Sequence, residues 1–137
     1  MKKLYPTLFI VWAALCFSAC ATGQVNIPDL SASELIQRAQ EASDRNRYNL
    51  ALQYYQALLE RNPTNIDLVC TAEYEIAFIH YKQKKYSLAR AGFNALLDRY
   101  NEHEEGYLPP QFKLLSLKVL ERIDEKEKIR SLFSRRT

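Results

Sequence analysis

The sequence predicts an all-α protein, an α-solenoid of three helical hairpins (about six helices) that follows an N-terminal signal peptide. Three observations carry this. Apolar residues recur at helical spacing from Leu30 onward, no segment alternates with period two, and one string of residues repeats along the chain. The length of 137 residues suits one compact domain, and 47% hydrophobic with 26% charged residues is a globular balance. Only 3 Gly are present, too dispersed for a phosphate-cradling loop. The net charge is +3, and +1 once Lys2 and Lys3 are set aside, which gives no electrostatic footprint for nucleic acid.

Residues 1–19 read as an address. Lys2 and Lys3 form a basic start, and residues 8–19 (LFIVWAALCFSA) form an apolar run. As a helix this run spans ~18 Å, short of a ~30 Å hydrocarbon core, and so fits a signal peptide better than a retained anchor. Two cleavage sites compete. Phe17-Ser18-Ala19-Cys20 resembles the lipobox of bacterial lipoproteins, with Phe17 where that family usually has Leu. The resemblance implies lipidation of Cys20, cleavage before it, and attachment to the membrane by several acyl chains. Ala19-Cys20-Ala21 is the rival, an ordinary secretion site that would leave a periplasmic or secreted chain. Residues 20–29 then form a tether and 30–137 the helical domain. Cys70 is left without a disulfide partner in the lipoprotein and is expected to be a small buried helix residue.

The helices follow in order. Ser31 and Glu34 form a capping box, and Leu30 with Leu35 a hydrophobic staple, so a first helix runs to about Asp44. A second spans residues 48–61 and stops at Asn62-Pro63. A third starts after Asp67 and runs to about Gln83; a fourth covers 87–100. After the polar loop 101–108, Pro109-Pro110 opens a fifth helix that ends near Ile123. Asp124 with Glu127 resembles another cap and predicts a short sixth helix.

Tyr48-x-x-Ala51-x-x-x-Tyr55-x-x-Leu58-Leu59 recurs 38 residues later as Tyr86-x-x-Ala89-x-x-x-Phe93-x-x-Leu96-Leu97. Upstream, residues 74–86 (YEIAFIHYKQKKY) resemble the first helix and turn of a tetratricopeptide repeat (TPR), with Ile76-Ala77 where that family has Leu-Gly. Asn62-Pro63 stands at the family's closing proline, and a degenerate third copy follows at a spacing of 40, with Ile129 and Phe133 in the small-residue and aromatic places. These periods exceed the standard of about 34 residues. Ala51 and Ala89 are expected to admit close helix packing, and Leu52, Leu59, Leu96 and Leu97 to supply the core between hairpins. With the leader, the spacing resembles bacterial cell-envelope TPR proteins, such as the lipoprotein of the outer-membrane β-barrel assembly machine and the periplasmic Tol-Pal coordinator.

The resemblance implies a concave face lined by the first helix of each unit. On it stand Gln40 and Asp44, then Tyr74, Phe78, Tyr81 and Lys82, then Lys118 and Arg122. Tyr74, Phe78 and Tyr81 share one helix face at i, i+4, i+7, and aromatic residues dominate binding hot spots; the same rings could instead pack between hairpins. Lys82, Lys118 and Arg122 would favour a partner bearing carboxylates. The function expected is therefore a cell-envelope scaffold that holds a protein or peptide partner, attached to the membrane by its lipid, on the periplasmic side and at the outer rather than the inner membrane. The alternative is an accessory subunit for small-ligand transport, with the aromatics forming a pocket. An enzyme is the weakest reading: His80 and His103 lack convergent partners in sequence, no zinc-ligand spacing exists, and no cofactor is implied.

Overall fold

The computed structural model describes residues 26–134; the leader, both cleavage sites and Cys20 lie outside the described residues. The fold is all-α. Five helices follow one another: α1 (Ala32–Asp44), α2 (Tyr48–Arg61), α3 (Ile66–Lys82), α4 (Tyr86–Glu102) and α5 (Pro110–Ser134). No strand occurs among the described residues. Each helix packs on the next in sequence, and α3 also meets α5.

Local chemistry sets the boundaries. The Ser31–Glu34 capping box forms as expected: the Glu34 amide donates to Ser31 Oγ at 3.4 Å and the Ser31 amide to Glu34 Oε2 at 2.9 Å. The Ser31 hydroxyl, which donates to Glu34 Oε2 at 2.7 Å, and then the Ser31 amide hold the Glu34 carboxyl below its ordinary range. Asn65, rather than Asp67, caps α3, its Oδ1 accepting from the Leu68 amide at 3.2 Å. The end of the expected tether is docked. Ile27 packs on the first core, and the Arg61 guanidinium donates to the carbonyls of Ile27 and Pro28 at 3.1 and 3.0 Å.

The turns α1–α2 and α3–α4 are copies of each other. The Arg47 amide donates to the Ala42 carbonyl at 2.8 Å, and the Lys85 amide to that of His80 at 3.0 Å; the bonds from Asn46 to Ser43 and from Lys84 to Tyr81 match likewise. Asn46 and Lys84 take the left-handed conformation that closes each helix.

Two cores result. Leu35, Ala39, Ala51, Tyr55, Leu58 and Ile79 form the first, while Cys70, Ala77, Ala89, Phe93, Leu96 and Ile123 belong to the second. Helix α3 serves both: Ala72 and Ile79 face one, Cys70, Tyr74 and Ala77 the other. Of the four leucines expected between hairpins, Leu96 is buried, whereas Leu52, Leu59 and Leu97 are half-buried; Leu35 and Leu58 take their place. Cys70 is buried and free, and burial pushes its thiol up.

The expected sixth helix and third hairpin do not form. Helix α5 runs unbroken through residues 123–127, because Asp124 and Glu127 reach sideways to Arg90 of α4 at 2.6 and 2.7 Å instead of capping a new start. Beyond Ile123 every described residue of the helix is exposed, Ile129, Leu132 and Phe133 among them. No described helix is long and apolar enough to cross a membrane.

Candidate functional site

Helix α3 carries an aromatic row. Tyr74 stacks on Phe78 (ring centroids 5.9 Å), Phe78 on Tyr81 (5.7 Å), and Tyr81 leans on Tyr86 at the start of α4 (6.0 Å). The row divides by depth. Tyr74 is 7% exposed and also meets Phe93 at 5.6 Å and Phe112 at 5.4 Å, so it belongs to the second core, joining α3, α4 and α5. Phe78, Tyr81 and Tyr86 are half-buried and border that core. Recesses of about 480, 440 and 330 Å³ open elsewhere, the first beside Gln53, Gln56 and Arg61. Tyr74, Phe78 and Tyr81 line none of these three.

Beside the row Lys82 bridges α3 to the C-terminal turn of α1. The Lys82 ammonium donates to Ser43 Oγ at 3.0 Å and sits 5.5 Å above the Phe78 ring. It makes no ion pair within 4 Å, although Glu75 on α3 and Asp44 in the last turn of α1 act on the same region. Glu75 is half-buried and accepts no hydrogen bond. Burial raises its carboxyl above the ordinary range, Lys82 opposes this, and Asp44 adds to it. Beneath them the Tyr55 hydroxyl is buried without a partner. Its burial, with Glu75 and Asp44 nearby, pushes the phenol far up.

Gln40 and Asp44 are exposed on α1, and Lys118 and Arg122 are exposed on α5. Lys82 and Ser43 bring α1 and α3 together, and Tyr74 with Phe112 brings α3 and α5 together. Neither Lys118 nor Arg122 takes a hydrogen bond or ion pair among the described residues. Glu75 and the Tyr55 hydroxyl are the parts of this region that the repeat resemblance did not point to. An acid flanked by Tyr74 and Ile76 inside an apolar helix was the available signal.

Elsewhere His103 closes α4, its Nδ1 2.8 Å from the Arg99 carbonyl oxygen and its ring stacked on Tyr107 at 5.0 Å. Arg99 forms a two-pronged contact with Glu73 at 2.6 and 3.1 Å that ties α4 to α3. Among the described residues no group of three or more His, Cys, Asp or Glu is placed to hold a metal ion.

The chain is similar to an uncharacterized protein of Treponema pallidum (strain Nichols), 31% identical over 121 residues. The match covers 86% of this chain and 48% of that protein, so the chain spans about half the length of the relative it matches. No family model matches the chain, and no solved structure does.

Proposed function

We propose that this chain is an exported, lipid-anchored helical-repeat scaffold of the TPR kind that binds another envelope protein or a peptide. The docking face is the side of α3 bearing Phe78 and Tyr81. The observation that carries this reading is the half-buried row Phe78–Tyr81–Tyr86. Phe78 stacks on Tyr81 and on the buried Tyr74, Tyr81 leans on Tyr86, and the row lies outside the recesses described above. Preset aromatic area loses little entropy when a partner covers it. The 38-residue repetition of turns and core positions supports the repeat reading, because such units stack and use an extended face for binding. Lipidation at Cys20 would hold this face near the membrane on the periplasmic side, more naturally at the outer than the inner membrane. The scaffold acts by positioning its partner, without turnover.

The small-ligand alternative loses ground at Tyr74, whose ring is packed against Phe78, Phe93 and Phe112 rather than facing a cavity. The test is affinity capture from native membranes with the full chain, Cys20→Ser, and a Phe78→Ala/Tyr81→Ala variant. The full chain should retain an envelope protein that the folded double variant releases, and Cys20→Ser should lack acyl mass and leave the membrane fraction. Equal capture by a double variant of unchanged helicity, or an intact leader on a chain found inside the cell, would overturn this reading.

A further inference from the structure

We propose that α5 is a dimerisation helix: the exposed faces of α5 in two copies of this chain pair antiparallel across a two-fold axis at the level of Ile123. This contact is separate from the docking face of α3.

The face is apolar at both ends and uncovered. On α3, Tyr74 and Ala77 are 7% and 0% exposed because α4 lies on them, Phe93 against the Tyr74 ring and Gly92 against Ala77. Forty residues on, the same places of α5 hold Leu114 and Leu117, 56% and 49% exposed. Further along the helix Ile129 and Leu132 are 54% and 53% exposed. Large aliphatic residues gathered on one exposed face and bordered by charge mark an interaction surface.

The pattern of this face names its occupant. Leu114, Leu117, Lys118 and Glu121 stand nine, six, five and two residues before Ile123; Leu132, Ile129, Lys128 and Glu125 stand the same distances after it. At ~3.6 residues per turn these side chains share about a third of the helix circumference, opposite the buried Ser116, Val119 and Ile123. From the centre outward the order is the same in both directions: acid, base, aliphatic, aliphatic. A contact between identical surfaces requires this self-complementarity. Laid antiparallel, Leu114 faces Leu132 of the second copy, with Leu117 and Ile129 packed beside such pairs. Glu121 comes within ~5 Å along the axis of Lys128 of the second copy on one edge, and Lys118 equally near its Glu125 on the other. Like charges fall on opposite edges. A parallel pairing would instead set Glu121 against Glu121 and Lys118 against Lys118.

The charges are available for this. Lys118, Glu121, Glu125 and Lys128 are exposed and make no ion pair among the described residues, whereas the neighbouring Asp124 and Glu127 turn to Arg90 of α4. The acids also argue against a lipid surface as occupant. Glu121 and Glu125 hold the middle of the face, where anionic headgroups would repel them and acyl chains would desolvate them.

Light scattering of the full chain in detergent micelles, with the detergent mass subtracted, should give the mass of two chains. Glu121→Lys/Glu125→Lys and Lys118→Glu/Lys128→Glu each oppose like charges and should weaken the dimer at least about tenfold; an equal mixture of the two variants should restore it as a heterodimer. Oxidation in native membranes is the second measurement. A chain with both Leu114→Cys and Leu132→Cys should form a disulfide dimer above the parent's background, and neither single variant should. All six positions are exposed, so helicity should be kept. A parent that stays monomeric at about 0.1 mM, a dimer indifferent to both charge reversals, a disulfide dimer equally strong from either single variant, or a monomer held through Leu132 on phosphatidylglycerol vesicles would each overturn the dimer.

Discussion

Asn46 and Lys84, 38 residues apart, adopt the same left-handed backbone, φ 57° and 60°, at equivalent points of two interhelix turns. Asparagine tolerates this region, whereas lysine pays a steric penalty there. Lys84→Gly should therefore stabilise the protein by about 0.5–1 kcal/mol, the relief being partly offset by the freer unfolded chain. Asn46→Gly should change little. Urea unfolding of both variants checks the pair; equal effects would mean that the two turns are not under the same constraint.

Gly92 marks a tight approach of α4 to α3. A Cβ built there would lie 2.9 Å from Cβ of Ala77, an atom that moves only with its backbone. Gly92→Ala gains about 1 kcal/mol of helix propensity and loses about 1–3 kcal/mol to overpacking. A net loss of about 1 kcal/mol is expected by thermal unfolding. Adding Ala77→Gly should restore most of it, because the swap removes the Cβ that the new methyl meets.

Glu75 sets a pH dependence. Burial raises its carboxyl in the folded chain, so between the unfolded and folded values the native state binds more protons than the unfolded state. Stability contributed by this group is present at low pH and is lost as pH rises through the ordinary glutamate range to the raised folded value. Glu75→Gln should remove that decline and leave the protein more stable than the parent at neutral pH. Unfolding curves across pH would show it; a parallel decline in the variant would assign the effect to another group.

Depth separates the aromatic row. Tyr74→Ala removes a ring held by Phe78, Phe93 and Phe112 and should cost about 3–5 kcal/mol. Tyr81→Ala, at the half-buried end, should cost clearly less in the same denaturation assay. Similar losses would place Tyr81 in the core as well.

Much of this fold was legible because its signals are local. The Ser31 cap, the Pro63 stop and the Ala51/Ala89 spacing each act within one or two turns, and the structure keeps them. What misled were groups whose partners lie far along the chain. Asp124 and Glu127 look like a helix start until Arg90, on another helix, claims both. Tyr74 reads as either groove or core until Phe93 and Phe112 close over it. Lys82 reads as a free cation until Ser43 and Phe78 take its ammonium. Helical periodicity names a face; it does not say which neighbour covers it.

Site-specific photo-crosslinking in native membranes tests the docking face most directly. A photoreactive residue replaces Tyr81 in the aromatic row, or Gln56 on the exposed side of α2. The account predicts a discrete adduct with one envelope protein from position 81, lost on Phe78→Ala, and none from position 56. Adducts from position 56 alone, or from neither, would contradict it.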